Sequence, residues 1–193
     1  MTTSRLEAFS DGVLAIIITI MVLDLKVPLG DGLMSLKPYI PKFLNYLISF
    51  VYVGIYWNNH HHLFQAINKV NGAVLWSNLH LLFWLSLLPV STGWMGENHD
   101  SSWPVALYGF VLFMSSVAFM IIEKVAIKGE GKESVIGQSV KKNAKEMISS
   151  IGYILGIVAS FFYPIVGIII YFIVAVIWLI PDKRIEKILK EEN

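Results

Sequence analysis

The chain has 193 residues, of which 55% are hydrophobic and 15% are charged, and its mean hydropathy is +0.63. Soluble domains carry roughly 25% charged residues, so the composition indicates a membrane protein. The net charge of +1 argues against a nucleic-acid partner, and the absence of cysteine excludes disulfides and thiol chemistry.

Six apolar stretches follow one another along the chain, each near the roughly 20 residues that cross a bilayer core. They lie at about 6–25, 43–64, 73–95, 103–123, 147–163 and 164–181. The last two form one tract that is too long for a single crossing, and Pro164 marks a turn between two short helices. The sequence therefore predicts one all-α, polytopic membrane domain over residues 1–193, with six transmembrane helices.

Basic residues set the predicted topology. With six spans, one side of the membrane receives only Lys26, Lys37 and Lys42, and every other lysine and arginine falls on the opposite side. Because cytoplasmic segments carry the excess positive charge, both termini are predicted to be cytoplasmic. A cleaved signal peptide is the alternative for the first stretch, but a single arginine before it and the lack of a small-residue cleavage site argue against this.

The first span, "RLEAFSDGVLAIIITIMVLDL", carries a polar pair, Ser10 and Asp11. The fourteen residues from Gly12 to Leu25 are too few to cross a bilayer, so the pair must lie at or inside the hydrocarbon edge. A carboxylate there needs hydrogen-bond or charged partners. The stretch "YWNNHHHLF", which ends the second span, lies at the same depth. So do three residues in the first turns of the third span: Trp76, Asn78 and His80.

Several polar residues allow two interpretations. Consecutive helical residues point about 100° apart, so interfacial solvation is preferred over a metal site for His60, His61 and His62. A buried hydrogen bond is preferred over a proton relay for His80. Asp24, at the outer end of the first span, is interpreted as a solvated carboxylate, with a cation-attracting pore mouth as the alternative.

The face of the first helix opposite the polar pair forms an apolar seam: Ile16, Ile20 and Leu23, with Thr19 beside it. At about 100° per residue, the polar pair lies roughly 120–140° from Ile16. The helix can therefore pack against its neighbours on one face and present the seam on another. Because nearly every residue from 12 to 25 is apolar, the pattern leaves open whether the seam meets lipid, another helix or a pore.

Arg5, Phe9, Ser10 and Asp11 spell RxxxFSD, and the "GVLAIIITIMVLDL" that follows completes a stretch that resembles the signature first helix of the transmembrane protein 175 potassium channel family. The "YWNNHH" ending of the second span also resembles its single-repeat prokaryotic members. The resemblance implies a potassium-selective cation channel rather than an enzyme, located in a prokaryotic cell membrane. It also implies a homotetramer whose first helices line the pore, with potassium as the permeant ion and no cofactor.

The resemblance also implies roles for individual residues. The narrowest ring falls on Ile16, with Ile20 and Leu23 as further constrictions and Thr19 as a polar layer. A structural motif behind the pore helix comprises Arg5, Phe9, Ser10 and Asp11, with Trp76 and His80 as third-span partners. The sequence contains no TVGYG segment, so selectivity would come from an apolar ring that passes partly dehydrated ions or closes by dewetting.

Other classes fit the sequence less well. A secondary transporter usually has internal repeats and helices broken at mid-membrane, whereas the prolines here lie at turns or near span ends, as Pro89 does. An intramembrane enzyme needs a nucleophile, a metal or a pair of carboxylates, and Asp11 is the one acid clearly inside a predicted span. A non-conducting structural membrane subunit would use the same packing motif.

Overall fold

A computed structural model describes residues 2–68, 70–131, 134, 137 and 144–179. These residues contain no β-strand, and a 3-10 helix, Leu33–Tyr39, lies where the sequence predicts a loop. The α-helices that they define are α1 (Thr3–Leu23), α2 (Ile40–Gln65), α3 (Gly72–Ser86), α4 (Leu88–Glu97), α5 (Ser102–Glu130), α6 (Ala144–Ser160) and α7 (Pro164–Leu179). The all-α prediction is confirmed.

Helices occupy all six predicted spans. Three segments are long and apolar enough to cross a membrane: α1, α3 together with α4, and α5. A shorter apolar helix, α7, follows them. Membrane crossing by α2, α6 and α7 stays a prediction. Much of the basic loop before α6, the last residues of the sixth predicted span and the basic tail lie outside the described residues, so the cytoplasmic location of the termini also stays a prediction.

The third predicted span differs from the prediction of one continuous helix. It is divided into α3 and α4, and Leu87 forms the turn between them. Pro89 has no N–H to donate to the preceding turn, and its ring disfavours helical geometry in the residue before it. The Ser86 hydroxyl donates to the Phe83 carbonyl at 2.7 Å. The interruption is therefore a local consequence of Pro89, partly offset by a side-chain hydrogen bond.

The predicted turn before Pro164 is confirmed. Helix α6 ends at Ser160, and α7 begins at Pro164. The backbone N–H of Tyr163 donates to the carbonyl of Ala159 at 2.8 Å, and that of Phe162 donates to the same carbonyl at 3.0 Å. These bonds close a turn of three residues between the two helices. Pro164 can begin α7 because the first turn of a helix is where the missing N–H of a proline would have no partner anyway.

Helix α5 is at the centre of the subunit, and α1 is at its side. The first packs against α3, α4, α6 and α7, whereas α1 packs against α2, α3 and α4. Inside the bundle, the Ser49 hydroxyl lies 2.7 Å from that of Thr92 and 3.0 Å from that of Tyr108, so α2, α4 and α5 share a buried polar contact. At Gly109 of α5, an added Cβ would overlap the phenol of Tyr171 on α7. The absent side chain allows the two helices to approach closely.

Candidate functional site

The two faces of α1 have different environments. The buried face repeats every three or four residues and comprises Leu6, Ser10, Leu14, Ile17 and Met21. On the other face, the side chains of Ile16, Ile20 and Leu23 are 60%, 50% and 76% exposed. Thr19 is exposed beside them, and its hydroxyl donates to the Ala15 carbonyl of its own helix at 2.8 Å. The predicted seam therefore lies together on one uncovered face of the subunit.

A buried chain of hydrogen bonds joins α1 to α2 and α3. The Asn78 side-chain amide donates to the Ser10 hydroxyl oxygen at 3.0 Å, and that hydroxyl donates to the Leu6 carbonyl at 2.9 Å. The Asn78 oxygen lies 2.8 Å from His60 Nε2. Since an amide oxygen can only accept, His60 carries its proton on Nε2. Ser10, His60 and Asn78 are at most 2% exposed, so each relies on the others for its hydrogen bonds.

Asp11 has the hydrogen-bond partner that a carboxylate near the hydrocarbon edge needs, but it is not buried within the subunit. Its Oδ1 accepts a hydrogen bond from Trp57 Nε1 of α2 at 3.0 Å, and the side chain is exposed. The rotation of about 100° between consecutive helical residues directs Ser10 into the bundle and Asp11 out of it. The end of the second span does supply its partner, as the matching depths predict.

The third-span partner of the motif is Asn78, not Trp76 or His80. Trp76 is 75% exposed, and His80 accepts a hydrogen bond from Trp84 Nε1 of the same helix at 2.9 Å. Both residues are two positions from Asn78, which places them about 200° around the helix from it. The two other motif residues, Arg5 and Phe9, lie on the exposed side of α1.

The three consecutive histidines point in different directions, as their spacing predicts. His60 is buried, so the prediction of interfacial solvation is wrong for this residue, which bonds Asn78 instead. The exposed ring of His61 has Nδ1 3.5 Å from a Glu7 carboxylate oxygen and Nε2 2.8 Å from the Gln65 amide nitrogen. In the part of the chain that the structure describes, no three His, Asp or Glu side chains converge on a metal position.

Asp24 lies where α1 ends. Its backbone N–H donates to the Ile20 carbonyl at 3.3 Å, and its exposed carboxylate lies against α4 at Gly93. A Cβ at position 93 would lie 2.8 Å from Asp24 Oδ2, so the glycine makes room for the carboxylate. The geometry is compatible with a solvated carboxylate at the end of the seam, and a role at a pore mouth stays a prediction.

Sequence analysis missed Glu123, which lies inside α5 and is 8% exposed. Its Oε2 is buried and has no hydrogen-bond partner within the described residues. The predicted span stopped at this residue because it is charged, whereas the helix continues to Glu130. The apolar residues "VAI", which come after Glu123 and Lys124, are the signal that the helix goes on.

Comparison with known proteins places this geometry in a family. Residues 5–89, which include α1 from Arg5 onward and the whole of α2, match the family model described as "Endosomal/lysosomal potassium channel TMEM175". A protein of Chryseobacterium sp. (strain P1-3) named "Potassium channel HX13_20290" is 62% identical over 191 residues, which cover 99% of this chain and 100% of that protein. The chain belongs to the TMEM175 family.

Other TMEM175 proteins extend the comparison. The crystal structure of a protein described as a lysosomal potassium-selective channel TMEM175 homolog from Chamaesiphon minutus superposes with a TM-score of 0.79 at 26% identity. The match covers 92% of this chain and 96% of that one. The mouse protein named "Endosomal/lysosomal proton channel TMEM175" is 31% identical over 133 residues, which are 61% of this chain and 27% of the mouse protein. The predicted family is therefore confirmed.

Proposed function

We propose that the chain is one subunit of a potassium-selective channel in a bacterial cell membrane, with the seam of α1 as its pore lining. The observation that carries this proposal is the uncovered row of Ile16, Ile20 and Leu23. A single helix cannot enclose a pore, so copies of α1 must meet around an axis. We infer a closed homo-oligomer, because closed symmetry satisfies the same surface on every copy, and the resemblance to single-repeat TMEM175 channels implies four copies.

An apolar ring can favour potassium without binding it. An ion that passes a ring of isoleucine side chains receives no oxygen ligands from them and must shed part of its water. The larger, more weakly hydrated potassium ion loses less than sodium at that step. In this proposal Ile16 forms the narrowest ring, Ile20 and Leu23 form further constrictions, and Thr19 offers a hydroxyl layer between them.

The polar residues of α1 have a packing role in this proposal. Ser10 holds the helix to α2 and α3 through Asn78 and His60, and the seam then faces away from the bundle. Asp11 and Arg5 lie on the uncovered side, where neighbouring copies would meet. Asp24, at the end of the seam, would attract cations to the mouth of the pore.

Names of relatives support a cation channel but differ in the ion. The bacterial relative is named a potassium channel and the mouse relative a proton channel. The test must therefore separate potassium from sodium and from protons. Reconstituted protein in liposomes should carry a potassium flux without valinomycin, and its reversal potential should follow the potassium gradient at constant pH.

The variant Ile16→Asn tests the assignment of the ring. A polar side chain wets the constriction, so sodium permeability relative to potassium should rise by about tenfold, or about 1.4 kcal/mol of barrier difference. Val22→Asn is the matched control, because Val22 is also exposed on α1 but lies about 120° from Ile16. Equal reversal potentials for the two variants in mixed sodium and potassium solutions would contradict the assignment.

The same liposomes separate the alternatives. A secondary transporter would give saturable uptake coupled to a solute. This alternative is tested because transporters contain helices interrupted within the membrane, and the third predicted span is interrupted at Leu87. A structural subunit would give neither current nor uptake. A reversal potential that followed the pH gradient would replace potassium with protons as the permeant ion.

A further inference from the structure

A slot of about 530 Å³ lies between two helices, and its lining contains no residue of α1. One wall is formed by residues of α2 from Pro41 to Val51, and the other by residues of α7 from Ile165 to Leu179. At about 1.5 Å per residue, these walls extend for roughly 15 Å and 21 Å. The lining is aliphatic apart from Phe172, Asn45 and His99.

The slot is narrow at its base because the two helices meet there. The Tyr52 hydroxyl of α2 donates to the Tyr171 carbonyl of α7 at 2.6 Å, and both residues are buried. These residues are the sequence neighbours of the slot-lining Val51 and Phe172. A helix with its side chains is about 10–12 Å wide, so a crevice between two touching helices admits an extended hydrocarbon chain more readily than a helix from another copy.

One end of the slot is polar. His99, which follows α4, lines it together with Pro41 and Ile165, the residues near which α2 and α7 begin. Nδ1 of His99 is buried and has no hydrogen-bond partner within the described residues, while Nε2 lies 3.6 Å from an Asp100 carboxylate oxygen. Because a carboxylate oxygen can only accept, Nε2 is the nitrogen that carries a proton toward Asp100, and Nδ1 donates to an oxyanion when the ring carries a second proton there. Lys42, at the same end of α2, adds a positive charge, which its contact with Glu97 at 2.8 Å offsets in part.

We propose that this slot is a phospholipid site, with one acyl chain between α2 and α7 and the phosphate group at His99. An aliphatic slot has too few polar partners to hold water, and an empty one forfeits the packing contacts of its walls. A lipid chain restores those contacts, and its phosphate supplies the acceptor that His99 Nδ1 lacks. None of the seam residues of α1 lines the slot, so this site is separate from the proposed pore.

Filling the slot tests the proposal. Ile169→Trp places an indole in the slot, whereas Ile173→Trp places one outside it on the same helix, and the two isoleucines are 50% and 52% exposed. Full-length protein is purified in mild detergent, and retained phospholipid per subunit is counted by native mass spectrometry. Ile169→Trp should retain about tenfold less of the tightly held lipid, because the indole obstructs the path of the chain between α2 and α7, and Ile173→Trp should match the wild type.

A second variant and the headgroup complete the test. Val176→Trp also fills the slot and should reproduce the loss if Ile169→Trp elutes as misfolded material. Delipidated His99→Ala should bind palmitoyl-oleoyl-phosphatidylglycerol about fivefold more weakly, the loss of about one hydrogen bond. Equal lipid retention by Ile169→Trp and Ile173→Trp would overturn the proposal. Loss of oligomer with full lipid retention would also overturn it, since a second copy would then be the occupant.

Discussion

Helices α1 and α5 are both long and apolar enough to cross a membrane, yet they have opposite surroundings. Within its apolar stretch, 28% of α1 is buried inside the subunit, against 61% of α5. Helix α5 contacts four other helices, and a tyrosine of α7 occupies the space beside one of its glycines. Helix α1 buries one narrow stripe and leaves its seam uncovered.

The difference shows that the hydropathy of a segment indicates whether it lies in a membrane, but not which other helices pack against it. Lipid tails are as apolar as leucine, so an apolar helix in a membrane gains little from hydrophobic burial against its own chain. Close packing and hydrogen bonds decide which face turns inward. In α5 these contacts surround the helix, whereas in α1 they follow one stripe, with the buried hydrogen bonds at Ser10, and leave the face of the seam uncovered.

The largest expected difference between the two helices is in the free energy of unfolding that each loses when one of its glycines is replaced by alanine. A Cβ at Gly109 of α5 would overlap the Tyr171 phenol, whereas a Cβ at Gly12 of α1 would have no neighbour within 4 Å. Gly109→Ala should lower the free energy of unfolding by about 2–3 kcal/mol. Gly12→Ala should leave it within about 1 kcal/mol, because the change removes only a poor helix former. Thermal unfolding followed by size-exclusion chromatography measures both. Equal losses would mean that α1 is packed as tightly as α5.

The buried polar contact of α1, at Ser10, is the next target. Asn78→Leu strands the His60 ring and removes the bond to Ser10, at a cost of about 1–3 kcal/mol for each unsatisfied group. Trp76→Leu is the control, since Trp76 is on the same helix and 75% exposed. The midpoint of thermal unfolding should fall for Asn78→Leu and stay near the wild-type value for Trp76→Leu. The reverse order would restore Trp76 as the partner of the motif.

Asp11→Ala should have the smallest effect on the subunit and a larger one between copies. The side chain is exposed and makes one hydrogen bond, to Trp57, so the subunit should lose about 1 kcal/mol or less. The chain lacks cysteine, so Ile16→Cys reports contact between copies by crosslinking. Asp11→Ala in that background should reduce crosslinked oligomer while lowering the unfolding midpoint by about 2–4 °C at most. A large drop in the midpoint with full crosslinking would show that Asp11 supports its own subunit instead.

Much of this architecture follows from the sequence. The length and spacing of the apolar stretches predicted helices at every span, and Pro164 predicted the turn between α6 and α7, because proline breaks a helix by local covalent geometry. The same property of Pro89 divides the third span, where the apolar run around it concealed the break. The RxxxFSD motif identified the family before any packing was known.

Sequence analysis failed where direction around a helix decides the outcome. The depth of each residue in the membrane correctly predicted that the end of the second span lies beside Asp11, where Trp57 donates a hydrogen bond to it. Depth does not distinguish Asn78 from Trp76 or His80, which are within a turn of it on the opposite face. The burial of His60 and the exposure of Asp11 likewise depend on which residues of α2 and α3 approach α1, and no periodicity encodes that in a helix that is apolar nearly all round.

The contact between the end of α1 and α4 has a consequence for how this protein can change over generations. The Asp24 carboxylate occupies the space in which any side chain at position 93 would begin. Positions 24 and 93 therefore share one volume, although 69 residues of sequence separate them. Because this carboxylate is the exposed end of a flexible side chain, a substitution with a Cβ at position 93 would turn it away from α4, and inheritance of such a substitution does not require a change at position 24.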